Sequence, residues 1–418
     1  MKRIILAIAL AALACISCEK TTGQKPDPEE STETAENPED NPLQKIELDT
    51  RSEAFVRQGK TFAFEFLRRV NEGRKKSFVI SPLSMQFLLG MILDGAQGET
   101  ADEICRVLGY EAGDVQAADA FALSMLEQLP AVDKETTLSI ADAVFVNDRC
   151  SILDSYRTSV VQNYDAAVSD LDFSDVGEAT NRINQWCSDH TNGMITHVLD
   201  QVDASVLAYL MNAVYFKSRW KEPFPADDTS QEKFLDEEGK ESMVPMMKNT
   251  GSFLFQENEF FCAVCLPYGN EAFQMTVILP QKGRTVQDVV SVLDAHRWSE
   301  ITGLWSVREV DVWLPRFKTK FHVDLNQLLI EMGMPTAFDE LKADFGAMSA
   351  QALFLSQVMQ DAVIKVDEEG TEAAAVSTGM MATSVPKYST FHADHPFLYL
   401  ITESSTGAIL FAGQFSGE

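Results

Sequence analysis

Residues 361–387 read DAVIKVDEEGTEAAAVSTGMMATSVPK, and this stretch decides how the rest of the chain is interpreted. Its first part alternates, because Ala362, Ile364 and Val366 would share one face of a strand with polar side chains opposite. The acidic pair and glycine at 368–370 then offer a place to bend. The run from there to residue 385 has no proline, no aromatic residue and no Lys or Arg. Such a run is too apolar for an ordinary loop and lacks the bulk of a core segment.

The run after the bend has the pattern of a strand that is available for insertion into a sheet. Alternate residues would point into the protein, and all but the last are small: Thr371, Ala373, Ala375, Ser377, Gly379 and Met381. Thr371 would be the first of them to turn inward. Pro386, which cannot donate to a strand ladder, comes only after the run ends. A short surface helix is the alternative, because Glu-Ala-Ala-Ala favours a helix.

Residues 368–375, Glu-Glu-Gly-Thr-Glu-Ala-Ala-Ala, resemble the hinge of the reactive loop of inhibitory serpins. The strand before them, and His-Pro-Phe-Leu-Tyr at 395–399, stand where that family has them, and further motifs match in order from about residue 55 to 415. The resemblance implies an α+β fold in a single domain. That domain would have a large central mixed β-sheet, two smaller sheets, surrounding helices and an exposed reactive loop at 368–386.

The local patterns also predict individual elements. Helices are expected over residues 55–70, 85–93, 179–187 and 324–332. Strands are expected over residues 138–146, 206–216, 273–280, 311–317, 397–401 and 409–415. The strand at 206–216 is apolar almost throughout, which is typical of a strand buried on both faces. Pro82 suits the first turn of a helix that Ser81 can cap.

The first 45 residues predict export and tethering rather than a folded unit. A basic end and a short apolar run lead to a small residue followed by a cysteine, which resembles a bacterial lipoprotein signal. We predict a signal peptide over 1–18 with lipid on Cys18, Cys15 being the alternative, and a disordered acidic, Pro-rich tether over 19–45. The serpin domain would then cover 46–418. These features predict a secreted protein, lipid-anchored to the bacterial outer membrane at the cell surface or the periplasmic face.

Charge and motif content exclude several classes of function. The formal net charge of −29 over 418 residues argues against nucleic acid and heparin as partners. The chain has no Gly-x-Ser-x-Gly elbow, no Gly-rich phosphate loop and no His-Glu-x-x-His pair, so no catalytic residue, cofactor or metal is predicted. Cys262 and Cys265 lie three apart in an apolar run, which puts their thiols on opposite faces of a strand and favours a structural role. A monomer is expected.

The resemblance implies a protease inhibitor, not an enzyme. In the family, non-inhibitory members tend to carry bulky, charged or proline residues in the hinge. Here the hinge is small: Gly370, Thr371, Ala373, Ala374 and Ala375, following Glu368. We therefore expect a suicide-substrate inhibitor that traps a serine protease as a covalent acyl-enzyme when the cleaved loop inserts into the central sheet. A non-inhibitory surface binding protein of the same fold, or an inhibitor of cysteine proteases, is the alternative.

The resemblance also assigns residues that would control insertion. They form a hydrogen-bonded shutter under the opening sheet, a breach at its top, and an ion pair that steadies the hinge until cleavage. The shutter comprises Ser81, Ser84, Asn212 and Gln360, the breach is marked by Trp220, and the ion pair is Arg316 with Glu368. Gln360 stands where the family has a histidine. A Gln amide both donates and accepts, so it can join the network.

The scissile bond follows from the family's spacing. Counting from Glu368 puts it between Ser384 and Val385, whereas counting back from Pro396 would put it after Val385. The second choice needs cleavage directly before Pro386, whose nitrogen has no N–H and whose preceding residue is conformationally restricted. We therefore predict Ser384–Val385, with the Thr383–Ser384 bond next.

The residues around that bond predict the class of target. Met381–Ala382 is a third candidate bond, and each candidate places a small or slim side chain in the main pocket of the protease. That suits elastase-like enzymes. A trypsin-like enzyme needs Lys or Arg, and neither occurs between Lys365 and Lys387.

Overall fold

The structure, a computed structural model, describes residues 41–371 and 388–418. The helices are α1 (Thr50–Asn71), α2 (Pro82–Gly95), α3 (Gly98–Leu108), α4 (Val115–Gln128), α5 (Asp154–Tyr164), α6 (Val176–His190), α7 (Val286–Val292), α8 (Ala295–Gly303) and α9 (Asn326–Met332). The strands are β1 (Phe78–Ile80), β2 (Thr137–Asn147), β3 (Ala167–Leu171), β4 (Ala208–Arg219), β5 (Ser230–Leu235), β6 (Glu241–Glu257), β7 (Phe261–Pro267), β8 (Phe273–Pro280), β9 (Ser306–Pro315), β10 (Phe317–Asp324), β11 (Val358–Val366), β12 (Gly370–Thr371), β13 (Ser389–His392), β14 (Phe397–Glu403) and β15 (Ile409–Phe415).

Two sheets organise the described residues. The six-stranded sheet has the order β10-β11-β4-β2-β3, with the short β12 paired to β4. It is mixed, because β11 runs parallel to β4 while β2 and β10 run antiparallel to their neighbours β4 and β11. The nine-stranded sheet has the order β1-β15-β14-β8-β7-β6-β9-β13, with β5 paired to β6. The predicted α+β fold with a central mixed sheet is confirmed.

One strand joins the two smaller sheets that the sequence predicts. β6 is 17 residues long and pairs with β5 near its start, with β9 along most of its length and with β7 at its end. The two expected sheets are therefore continuous through β6 and form the nine-stranded sheet.

The centre of the six-stranded sheet, at β4 and β11, is buried on both faces, as the apolar run of β4 predicts. On one face, Leu210 and Val214 of β4 join the main core, to which α2 also contributes. On the other, Met211 and Ala213 pack in a second cluster with α6. A strand between two apolar layers needs apolar residues at successive positions rather than at alternate ones.

Some local predictions differ from the structure. The strand expected over 311–317 is divided at Arg316, because β9 ends at Pro315 in the nine-stranded sheet and β10 begins at Phe317 in the six-stranded one. The helix expected from 324 begins at Asn326, because Asp324 still pairs with Met359 in the sheet. Ser81 precedes α2 but its side chain makes no capping hydrogen bond. The other predicted elements agree to within a few residues.

Several predictions fall on residues outside the described ranges 41–371 and 388–418. They are the signal peptide and its lipidation candidates Cys18 and Cys15, most of the predicted tether, the hinge residues Ala373, Ala374 and Ala375, and the candidate scissile residues Thr383, Ser384 and Val385. Within the described ranges, no helix has the length and apolarity needed to cross a bilayer.

Candidate functional site

The hinge begins with a tight turn between β11 and β12. The Asp367 N–H donates to the Gly370 carbonyl at 2.8 Å, and the Gly370 N–H donates back at 3.2 Å. The turn reverses the chain, so that β11 is parallel to β4 but β12 is antiparallel to it. The bend that the sequence predicts at 368–370 is therefore present.

The start of the reactive loop already lies in the six-stranded sheet. β11 pairs with β4 only as far as Val363 and Tyr215. Beyond that point β12 lies next to β4, with Gly370 opposite Arg219 and Thr371 opposite Ser218. The sheet is therefore divided at this end, and the first two residues of the hinge pair with β4 in the gap.

Thr371 is fully buried in the intact chain. Its exposed fraction is 0%, and its hydroxyl lies 2.9 Å from the hydroxyl of Tyr268. The ring of Tyr268 stacks on that of Trp220 with 4.4 Å between centroids. This differs from the expectation that Thr371 turns inward only when insertion begins.

Gly370 occupies a position that excludes any side chain. Its φ is +154°, and a Cβ would lie 2.2 Å from the Ser218 carbonyl oxygen and 2.6 Å from the Cα of Arg219. Both are backbone atoms of a paired strand, so neither can move aside. Close approach of β12 to β4 therefore requires glycine here.

Trp220 holds the hinge turn by donating hydrogen bonds to carbonyl groups of the turn. Its indole Nε1–H donates to the Asp367 carbonyl at 2.9 Å, and its backbone N–H donates to the Glu369 carbonyl at 2.7 Å. Phe224 N–H donates to the Glu368 carbonyl at 2.8 Å. The residue that the resemblance assigns to the breach therefore binds the hinge directly.

Arg316 and Glu368 form the ion pair that the resemblance predicts. Arg316 Nε donates to Glu368 Oε2 at 2.9 Å and Nη2 donates to Oε1. Thr229 Oγ1 donates to the same Oε1 at 2.6 Å. Burial acts to raise the pKa of Glu368, but the hydrogen bonds from Arg316 and Thr229 outweigh it and hold that pKa below its ordinary value. Because Arg316 lies between β9 and β10, the pair ties the hinge to the connection between the two sheets.

The shutter residues meet beneath the sheet, and Gln360 uses both ends of its amide. Its Oε1 accepts from the Ser81 N–H at 2.9 Å, while its Nε2 donates to the Ser81 carbonyl and to Asn212 Oδ1, each at 3.0 Å. The Ser81 hydroxyl donates to the Leu410 carbonyl at 2.6 Å. Gln360 is therefore fully engaged in the position where the family has histidine.

Asp142 is a member of the shutter that the sequence interpretation missed. Asn212 Nδ2 donates to Ser84 Oγ and, at 2.9 Å, to Asp142 Oδ1. Asp142 is 2% exposed, and its Oδ2 has no hydrogen-bond partner in the part of the chain that the structure describes. Burial raises the pKa of Asp142 to about 7, and the Asn212 hydrogen bond offsets only part of that rise. A lone carboxylate inside the apolar strand LSIADAVFV was the available signal.

Among the described residues, the other reactive groups do not form a second candidate site. In residues 41–371 and 388–418, no group of three or more His, Cys, Asp or Glu could hold a metal ion. The five described cysteines are free thiols, with Cys265 buried and Cys262 half-buried. Burial raises the pKa of both thiols to about 12, which keeps them protonated and unreactive.

Comparison with known proteins gives consistent matches over this whole body. A family model described as serpin (serine protease inhibitor) matches residues 57–417. Serpin B6 from Macaca fascicularis is 34% identical over 371 residues, covering 85% of this chain and 97% of the relative. Leukocyte elastase inhibitor from Xenopus laevis is 31% identical over 370 residues, with the same coverage of each. The crystal structure of the thermophilic serpin tengpin in the native state has a TM-score of 0.82 at 25% identity, covering 90% of this chain and 96% of tengpin.

The family match and the relatives extend over most of the chain, and the fold has the mixed sheet and the hinge that the sequence motifs imply. The family is one of serine protease inhibitors, and some of its members do not inhibit proteases. This chain belongs to the serpin family.

Proposed function

We propose that this protein is a suicide-substrate inhibitor of serine endopeptidases. One observation carries the proposal: Gly370 and Thr371 are paired with β4 in the intact chain, at the end where β11 and β4 have separated. A strand that has begun to pair can extend residue by residue once its far end is cut. The small side chains that the sequence predicts on the inward face, from Ala373 onward, would then follow.

The reaction starts as ordinary proteolysis. The serine oxygen of the protease bonds to the carbonyl carbon of the scissile peptide, the peptide bond breaks, and the new amino terminus leaves with the proton. The loop, still esterified to the protease, then inserts between β4 and β11. About fourteen residues pairing at a net ~1 kcal/mol per hydrogen bond release on the order of 10 kcal/mol. This is comparable with the stability of a whole protein, about 5–15 kcal/mol, and is enough to displace and distort the protease before water frees it.

The shutter supplies the barrier that insertion must cross. Six residue pairs, from Val358–Leu210 to Val363–Tyr215, join β11 to β4 and must separate. The Gln360–Asn212 side-chain bond spans the same boundary and must also break. The native state is then metastable, and its strain is the working energy of inhibition.

For the target, we propose an elastase-like enzyme and cleavage at Ser384–Val385. The support is the run of small side chains near this bond and the lack of Lys or Arg between Lys365 and Lys387. The relative named leukocyte elastase inhibitor accords with this choice.

The protein would act as a monomer, exported and held by lipid on Cys18 to the bacterial outer membrane. Mass spectrometry of the mature N-terminus tests the anchor, and an unmodified end or lipid on Cys15 would contradict it.

The test is incubation with pancreatic or neutrophil elastase and, in parallel, with trypsin. We expect a complex with elastase that survives a denaturing gel, and an N-terminal sequence of the released fragment that begins at Val385. Trypsin should give little complex. Cleavage without any stable complex would favour the non-inhibitory alternative, and complex formation with a papain-like enzyme in place of elastase would favour the cysteine-protease alternative.

A further inference from the structure

The N-terminal segment (residues 41–49), which precedes α1, is bound to the body by specific contacts. The Ile46 N–H donates to Ser405 Oγ at 3.0 Å, and the Ile46 side chain is buried. Glu47 makes a reciprocal pair with the side chain of Gln128, at 2.8 and 3.0 Å, using only backbone atoms of Glu47. These contacts hold the segment against the turn between β14 and β15 and against the end of α4.

Asn41 fastens the linker between α4 and β2 to this segment. Its Nδ2 donates to Asp133 Oδ1 at 2.7 Å, and its Oδ1 accepts from the Lys134 N–H at 3.2 Å. Asn270, in the turn between β7 and β8, donates to the Val132 carbonyl at 2.7 Å and also contacts Asn41 Oδ1 at 3.4 Å. The linker is therefore held to a turn of the nine-stranded sheet.

Asp133 connects Asn41 to the six-stranded sheet through Thr136 and Ser218. It is 0% exposed, and its Oδ2 accepts from Thr136 Oγ1 at 2.7 Å. Thr136 Oγ1 lies 2.6 Å from Ser218 Oγ. A hydroxyl has one proton and a carboxylate has none to give, so Thr136 donates to Asp133 and Ser218 donates to Thr136. The series of bonds has one direction, from Ser218 through Thr136 to Asp133, where Asn41 meets it.

The series ends at the hinge. Ser218 is the register partner of Thr371, and its carbonyl is the group that excludes a side chain at Gly370. For the loop to enter, β4 must move away from β11, and β2 must move with it because ten residue pairs join β2 to β4. The bonds through Asp133 tie this moving pair of strands to Asn41 and Asn270, which lie outside it. They therefore resist opening of the sheet at the hinge end.

We propose that the N-terminal segment is a clasp on the six-stranded sheet, in which Asn41, acting through Asp133, Thr136 and Ser218, opposes entry of the uncleaved loop. The clasp restrains the hinge, and it sets how long the active native form persists before it converts spontaneously to an inserted form. The effect on the lifetime rests on the proposed function, whereas the effect on the mobility of the hinge does not.

The first test compares the full mature chain with Asn41→Ala and with Thr136→Val, which removes the central hydroxyl at similar volume. Glu47→Ala is the matched control, because the Glu47 side chain is exposed and only its backbone binds Gln128. Samples are held at one temperature, and the native fraction is followed on urea-gradient gels. We expect about three- to tenfold faster loss in both test variants, the range for one or two lost hydrogen bonds, and no change in the control. Equal lifetimes in all four proteins would overturn the clasp.

The double variant Asn41→Ala/Thr136→Val tests whether the two residues act through one series. If they do, the double variant decays about as fast as the faster single variant, and fully multiplied effects would overturn the coupling. Hydrogen exchange of peptides covering 216–224 and 366–371 in the intact protein separates the two proposals. Faster exchange in Asn41→Ala with no elastase complex in the wild type would uphold the clasp and reject the proposed function. Unchanged exchange would reject the clasp whatever elastase does.

Discussion

Gln360 and Asn212 are register partners on β11 and β4, and their side chains are hydrogen-bonded across the boundary that the proposed loop insertion would open. Gln360 supplies two donors and one acceptor to this contact and to Ser81. The histidine of the family can offer at most two ring nitrogens, so Gln360 is a different solution to the same requirement.

Replacing Gln360 by Glu should lower the barrier to insertion. The carboxylate can still accept from Ser81 N–H, but it cannot donate to the Ser81 carbonyl or to Asn212, and two buried acceptors are left facing it. We expect the native form to lose about 1–3 kcal/mol of stability for each unsatisfied group, and to convert faster to the inserted form on heating. Gln231→Glu makes the same charge change at an exposed site on β5 and should behave as wild type. A native half-life of Gln360→Glu equal to that of Gln231→Glu would contradict this role.

Asp142 should make native stability depend on pH. Burial raises its pKa from the ordinary 3.8 to about 7, so the neutral form is preferred in the folded protein. The stabilisation from this group is complete below pH ~4, where folded and unfolded chains are both protonated, and is lost as the pH rises through about 7. Asp142→Asn keeps an acceptor for Asn212 but cannot become charged as the pH rises. We expect the free energy of unfolding of Asp142→Asn to match that of wild type near pH 4 and to exceed it by on the order of 1–4 kcal/mol at pH 8, measured by urea unfolding. Parallel pH profiles for the two proteins would refute the assignment.

The sequence could predict what repeats along the chain but not what distant segments bring together. The alternation of Ala362, Ile364 and Val366 predicts the strand β11, and the resemblance of residues 368–375 to the serpin hinge implies the sheet and the loop. A period of two indicates which face a residue takes, but not whether the strand is already paired, so the burial of Thr371 could not be foreseen. The lone carboxylate in an apolar run marks Asp142 as unusual but does not identify its partner. The partners of Asp142 and Asn41 lie 70 and 92 residues away in sequence, and no local pattern encodes those pairings.

Gly370→Ala should remove the hinge from the sheet. The new Cβ would meet the Ser218 carbonyl oxygen at 2.2 Å, so β12 has to leave β4. In the wild type the Trp220 amide donates to the Glu369 carbonyl, so its hydrogen exchange should become faster in the variant. With elastase, we expect several-fold more cleaved protein per complex formed. Gly303→Ala, where a Cβ would have open space, is the matched control. If Gly370→Ala forms complex as efficiently as the control, pairing of β12 with β4 is not needed for insertion.

Thr371→Arg should convert the inhibitor into a substrate. The Thr371 side chain is fully buried against Tyr268, whose ring stacks on Trp220, and an arginine there would bring a charge into a site built for a hydroxyl. Burying an unpaired charge costs several kcal/mol, so the hinge would be expelled and insertion would stop at its first step while the acyl-enzyme hydrolyses. We expect cleavage at the same bond as in wild type, a native fold, and little complex on a denaturing gel.

Two further variants separate charge from the loss of the hydroxyl. Thr371→Val keeps the shape of threonine but loses the contact with Tyr268, so it should still trap elastase while its hinge amides exchange faster. Glu372→Arg places the same cation one residue later, where the alternation of the sequence predicts an outward side chain, and should form nearly as much complex as wild type. If Thr371→Arg forms as much gel-stable complex as Glu372→Arg, the loop does not need to enter the sheet beside β4. In that case the complex itself would argue against the non-inhibitory alternative, but trapping by loop insertion would have to be abandoned.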